Sequence, residues 1–239
     1  MRIAIVSDIH GNLTALEAVL ADLRETSPDL IFHGGDLPHG GSNPAEIVDR
    51  IRDLGWRGVL GNTDEMLFRP ESLEEFAGQS KAPPSLWAAI REMAAATREA
   101  LGEERIAWLR GLPQMQVHGP MALVHASPGS CWRAPAPEAT GAELESVYSA
   151  LGKPVAVYGH IHHAFTRRVS GMIVANMGSV GLSYDGDRRA AYLVLDESKA
   201  AIRRVAYDVK REIRAVSACG LPHADWVARM LHSARPEMP

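Results

Sequence analysis

Residues 1–12 read MRIAIVSDIHGN. Positions 2–7 are short, apolar and rich in β-branched side chains, the pattern of a buried strand. Polar residues arrive together where the apolar run stops: Asp8, His10 and Asn12. A helical run follows at once from Asn12 to Arg24, with Leu13, Leu16, Ala18, Val19, Leu20 and Leu23 on its inner side. Further strands at 29–33 and 57–60 flank a helix from Pro44 to Leu54. Alternation of this kind implies a parallel sheet covered on both faces, hence an α/β fold.

The rhythm breaks over 65–111, a stretch rich in Ala, Glu, Arg and Leu with Trp87 and Trp108. It reads as two or three helices packed over one edge, an insertion within a single domain spanning 1–239, because alone it would hold little core. Strand-like runs follow at 114–118 and 121–125, then a helix at 138–151. Five more strands follow at 154–158, 164–169, 172–176, 190–196 and 201–206. Their close spacing and turns such as DGD predict antiparallel pairing. From Val209 the chain is helical and ends in a Pro-rich tail expected to fray.

Hydrophobic residues make up 46% and charged residues 23%, which excludes a disordered chain. A formal net charge of -4 carries no strong signal for nucleic acid or an anionic membrane. Cys131 and Cys219 lie far apart and fit neither a disulfide framework nor a thiolate zinc site, so a reducing cytoplasm is expected. The N-terminal apolar run is too short for a signal peptide, and no stretch is apolar enough to span a membrane. Oligomeric state is left open.

The chemistry-bearing residues share one placement. Asp8 and His10 follow IAIV, Asp36 follows LIFHGG, Asn62 follows VLG, His125 follows ALV, and His160 and His162 follow AVYG. C-terminal strand ends of an open α/β sheet share one edge, where ligands bind. Five strand ends therefore deliver seven donors to one rim. Residues two apart can both face that rim where the chain leaves strand geometry, and the neighbouring Gly11, Gly34, Gly35, Gly61 and Gly159 permit close backbone approach. Imidazole and carboxylate donors without thiolate suit manganese, iron, zinc, cobalt or nickel. Seven donors are too many for one tetrahedral ion and fit two ions sharing a carboxylate. The alternative, that these residues only cap strands and helices, holds for a residue such as Asp8 or Asn12. It leaves a costly cluster of buried polar groups without purpose.

In order, the motifs SDIHGN, GGD, GNTDE, LVHASP, GHIHH and NMGSVG resemble those of the calcineurin-like metallophosphoesterase superfamily, in particular its small bacterial and archaeal phosphodiesterase branch. EERIAWLRGLP and VAYDV extend the resemblance over nearly the whole chain. Each motif alone is weak; all in order are specific. The resemblance implies a four-layer α/β/β/α sandwich. It implies that Asp8, His10 and His162 hold one metal, that Asn62, His125 and His160 hold a second, and that Asp36 bridges them. Two divalent ions, manganese first, would then sit about 3.5–4 Å apart and acidify a shared water that attacks phosphorus. The substrate implied is a small phosphodiester or nucleotide-like ester. A phosphomonoesterase or a dinucleoside-polyphosphate hydrolase is the alternative. A protein-interaction scaffold, as in the retromer subunit of this fold, ranks below, because scaffolds erode their ligands and this chain keeps all seven.

Two departures stand out. Thr63 in GNTDE occupies the position where many members carry a proton-donating His, and a threonine hydroxyl is no useful general acid near neutral pH. Pro38, His39, Gly40 and Gly41 replace a common Gly-Tyr-Gly, which makes His39 the local candidate for a replacement acid or a substrate contact. Asp64 is expected to orient a ligand histidine. Other residues have plainer readings. His33 is a hydrogen-bonded core histidine or a supporting residue behind the metals, His118 is solvated, and His163 points away from the site. His223 and His232 lie in no motif. Trp87 and Trp108 are core or helix-packing residues, and Glu71 to Glu75, RRVSG and DRRAA are surface.

Overall fold

The computed structural model describes residues 1–196 and 199–239. β1 (Arg2–Val6) forms from the N-terminal apolar run, with Ile3 to Val6 buried. Asn12 ends the intervening loop by capping α1 (Leu13–Thr26), its side chain accepting from the Ala15 N–H at 2.9 Å. That bond satisfies one of the free donors at a helix start. α2 (Pro44–Asp53) lies between β2 (Leu30–His33) and the two-residue β3 (Arg57–Gly58). β1, β2 and β3 pair in parallel, and β9 (Ala190–Asp196) and β10 (Lys199–Val205) add antiparallel beyond β1. The first sheet therefore runs β10-β9-β1-β2-β3.

A second sheet, ordered β4-β5-β6-β8-β7, comprises β4 (Met115–His118), β5 (Met121–Val124), β6 (Val155–Tyr158), β7 (Phe165–Val169) and β8 (Met172–Asn176). The expectation of antiparallel pairing through the last five strands fails at β6, which runs parallel to both β5 and β8. The connections decide this. β5 reaches β6 through α6 (Gly141–Tyr148), a crossover that returns the chain in the same direction. β9 and β10, though near in sequence, leave for the first sheet.

Alternation along β1 sets the layers. Ala4 and Val6 pack with Leu16 and Val19 of α1, Ile47 of α2 and Leu101 of α5 (Pro84–Arg110). Ile3 and Ile5 face Met121, Leu123 and Val157 of the second sheet. Beyond that sheet, Val124, Ala156 and Tyr158 pack on Leu144 and Tyr148 of α6. The result is an α/β/β/α sandwich. The parallel strands are covered on both faces, one by helices and the other by a sheet. Burying each such aliphatic side chain contributes roughly 1.5–3 kcal/mol.

The stretch 65–111 contains the end of α3 (Asn62–Glu65), α4 (Glu71–Ala77) and the long α5, which bends at Gly102 (φ 69°). Leu101 at the bend and Ile106 and Leu109 past it lie in the same core as β1. Before it, Ala89 and Met93 pack on Trp226, Val227 and Met230 of α8 (Ala224–Ser233), which follows α7 (Val209–Ala218). The tail, expected to fray, meets α8 through two hydrogen bonds. The Trp226 indole N–H donates to the Glu237 carbonyl at 2.8 Å, and Arg229 donates to the Met238 carbonyl at 2.8 Å. Among the described residues no helix is long and apolar enough to cross a membrane.

Candidate metal centre

Both sheets aim parallel strand ends at one rim. Asp8 and His10 follow β1, Asp36 follows β2, Asn62 opens α3 after β3, His125 follows β5, and His160 and His162 follow β6. The device that turns these side chains together is backbone conformation. Asp8, His10, Asp36, His160 and His162 have φ of 54°, 50°, 55°, 67° and 54°. Such left-handed residues break strand alternation, so Asp8 and His10 both reach the rim. Each costs of order 1–3 kcal/mol, a strain typical of functional sites. Backbone bonds hold it: Asp8 N–H donates to Gly35 O at 3.0 Å, and His10 N–H donates to Asp36 O at 3.1 Å. Gly61 and Gly159 are needed for space, since a Cβ there would collide with the Asp36 and Asp8 carboxylates.

Asp8, His10, Asp36 and His162 each bring one ligand atom into a buried group lying within 4.8 Å of one another. The Nδ1–H of His10 donates to the His39 carbonyl at 2.8 Å, and that of His162 donates to the Leu182 carbonyl. A carbonyl only accepts, so in each neutral ring Nε2 carries the lone pair. Those two Nε2 atoms lie 3.1 Å apart. His125 is fixed in the same way by the Gly34 carbonyl at 2.7 Å, and its Nε2 is 3.0 Å from Asn62 Oδ1. His160 Nδ1 is 2.8 Å from that same oxygen. Asp36 stands between the two groups, Oδ2 at 3.8 Å from His10 Nε2 and Oδ1 at 3.5 Å from His125 Nε2. Lone pairs converging at such distances repel unless a proton or a cation lies among them. The donor set of oxygen and nitrogen, with ring tautomers fixed by carbonyls behind, fits divalent cations.

Electrostatics agree. Burial opposes ionisation of Asp36, but the His125 and His10 charges outweigh it and hold the carboxyl below its usual range. Asp8 is lowered likewise, burial being overcome by His162. Burial pulls His125 down, yet Asp36 and Asp8 push it up to about 10. Burial and then His125 lower His160 to about 4. Two ionised carboxylates thus attract positive charge to the rim, while burial keeps His160 and His10 neutral.

The remaining residues sit as follows. Asp64 does not orient a histidine: its carboxylate accepts from the backbone N–H groups of Asp36, Leu37 and Gly61, each at 2.9 Å. It clamps the loops after β2 and β3 together. Burial and Asp36 raise it to about 6. Thr63 donates its backbone N–H to Asp36 Oδ1 at 2.9 Å. His39 is buried beside His10, and burial followed by the His10 charge lowers it to about 3, so the ring is neutral at pH 7. His33 corrects its hydrogen-bonded reading: it is fully buried, its ring lies against Gly58, and neither ring nitrogen has a partner among the described residues. His163 donates to the Ile161 carbonyl at 2.8 Å. Cys131 is buried with its thiol 3.2 Å from Glu65 Oε2, and burial raises it.

Sequence reasoning missed what borders the rim. A cavity of about 170 Å³ opens beside His10, Asn62 and His160, walled by Phe76, Trp87, Trp132, Tyr184 and Trp226. Trp87 is thus more than a packing residue. Nothing in the sequence set these side chains apart, because aromatic residues on helices and loops read as core. The turn after β8 was visible as NMGSVG, but not its task. Ser179 donates its hydroxyl to the Asp8 carbonyl at 2.7 Å, which steadies the end of β1.

A family model for the calcineurin-like phosphoesterase superfamily domain matches residues 1–200. An uncharacterized protein of Methanocaldococcus jannaschii is 31% identical over 98% of both chains. The symmetrical bis(5'-nucleosyl)-tetraphosphatase of Pectobacterium carotovorum is 31% identical over 72% of this chain, and the match spans 60% of that enzyme's length. A metallophosphoesterase from Sphaerobacter thermophilus superposes with a TM-score of 0.80 at 27% identity, covering 98% of this chain and all of the other.

Proposed function

The chain belongs to the calcineurin-like phosphoesterase superfamily, and on that premise we propose that it hydrolyses a small phosphodiester at a centre of two divalent metal ions, manganese first among them. The observation that carries this reading is Asp36, whose two carboxylate oxygens face His10 and His125 separately. Asp8, His10 and His162 would hold one ion; Asn62, His125 and His160 the other; Asp36 both. When bound, the ions supply positive charge against the phosphoryl oxygens and acidify a water near neutral pH.

The chain's own residues supply position. The carbonyls of His39, Gly34 and Leu182 fix which ring nitrogen His10, His125 and His162 present. Asp64 keeps the Asp36 and Asn62 loops in register. His39, neutral and against the rim, would donate a hydrogen bond to the ester rather than a proton. Thr63 offers no strong acid, so charge would build on the departing oxygen.

A dinucleoside-polyphosphate hydrolase is a second reading, favoured by the likeness to the tetraphosphatase. A screen with added manganese over phosphodiesters, phosphomonoesters and dinucleoside polyphosphates tests the proposal. Preference for diesters supports it; turnover of polyphosphates alone favours the second reading; no turnover of any ester contradicts both.

A further inference from the structure

The cavity beside the rim has one polar end, with His10, Asn62, Thr63 and His160, and an apolar aromatic body. Among the described residues no lysine, arginine, aspartate or glutamate lines it. Its wall is held in place. Phe76 of α4 meets Trp87 of α5 edge-on at 5.8 Å between ring centroids, and meets Trp132 at 5.2 Å. Tyr184 stacks on His162 at 4.4 Å and 21°, so the wall is continuous with a donor of the rim. The indole N–H groups of Trp132 and Trp226 already donate, to Glu65 at 2.6 Å and to the Glu237 carbonyl at 2.8 Å, which fixes both rings. The Trp87 N–H is buried and has no partner among the described residues.

We propose that this cavity receives an uncharged aromatic group of the ester, so that the substrate class is a phosphoester with one phosphoryl group and a flat apolar alcohol. The proposal rests on the phosphoesterase reading and chooses within it. A second phosphate entering this space would leave water and meet no cation, which burial makes costly. An aromatic ring would instead gain contact with several ring faces and edges. Size points the same way: about 170 Å³ is below the roughly 300–1,000 Å³ of pockets that enclose larger ligands, and suits one ring system. The Trp87 N–H is the one indole donor of the wall left for a polar edge of such a group.

The test is calorimetric titration of the manganese-loaded full chain with inorganic phosphate, methylphosphonate, phenylphosphonate and 4-carboxyphenylphosphonate, none of which is an ester. Phenylphosphonate is expected to bind about tenfold or more tighter than methylphosphonate, the order expected for burying one ring. The added carboxylate should remove that gain. Ile90 is a half-buried wall residue on α5. Ile90→Lys should reverse the order of the phenyl and carboxyphenyl ligands, and if that variant does not fold, the wild-type series decides alone. Equal affinity for methyl- and phenylphosphonate overturns the aromatic cavity and leaves the phosphoesterase reading standing. No binding of phosphate or any phosphonate, with no hydrolysis of nitrophenyl esters, overturns that reading and the cavity with it.

Discussion

The metal rim and the aromatic wall touch the same space but are built by opposite means. The rim places buried polar atoms on short loops, five of its seven donors in left-handed backbone, and three of its four rings, His10, His125 and His162, held by a carbonyl behind them. The wall places apolar rings on helices α4 and α8, on α5 and on loops, with ordinary packing between them. A coordination site depends on atom positions to a fraction of an ångström, and a strained loop supplies them. An apolar wall needs shape and the absence of charge, and tolerates swaps of similar volume. Changes at the rim should therefore reduce turnover of every substrate, and changes at the wall should alter preference among substrates.

The largest effect is expected at the bridge. Asp36→Asn should lower kcat/KM on a nitrophenyl diester by about 10³-fold or more at saturating manganese, because several kcal/mol of charge stabilisation are at stake. Activity near the wild-type value would break the distinction between rim and wall. Asp64→Asn should cost less, about 10–100-fold in metal affinity or activity. An amide presents one acceptor where three N–H groups converge, and its NH₂ would face a donor. Metal titration and kcat/KM check this.

His39 lies where the two regions meet. His39→Ala should lower kcat/KM by about tenfold, the value of one hydrogen bond. A plot of log kcat/KM against leaving-group pKa should stay as steep as in the wild type, because no general acid has been removed. A loss of 10²–10⁴-fold confined to poor leaving groups, the order of a lost proton donor, would restore His39 as the acid.

His33 lies behind the rim and should not affect turnover at all; its effect is on stability. Burial lowers it to about 3, against an ordinary 6.5. The unfolded chain therefore takes up this proton first as pH falls. The folded state loses stability progressively from pH 6.5 towards 3. His33→Phe should flatten that dependence by roughly 3 kcal/mol between pH 6.5 and 4, read from urea melts, with kcat/KM unchanged.

These contrasts also explain what the sequence could reveal. Asp8, Asp36, His125 and His160 stand out because each is a polar residue within three positions of the end of an apolar strand, and order along the chain converts to proximity through parallel pairing. That β1 is covered on both faces is legible in its continuous apolar run; the four layers came from the family resemblance, because such a run does not say whether helix or sheet covers each face. The direction of β6 was misread from the close spacing of the strands after it, although the helix expected at 138–151 is the crossover that sets it. Asp64 was misassigned because a carboxylate next to ligands bonds equally well to a ring or to backbone, and only loop geometry decides. Phe76, Trp132, Tyr184 and Trp226 were silent because an aromatic residue lining a cavity and one filling a core have the same sequence pattern.

Metal content bears most directly on the central claim, that seven donors make one two-metal centre sharing Asp36. Elemental analysis of the manganese-loaded chain after removal of free metal should give two ions per chain, and Asp36→Asn should retain fewer under the same conditions. One ion or none in the wild type, with the chain folded, would contradict the account.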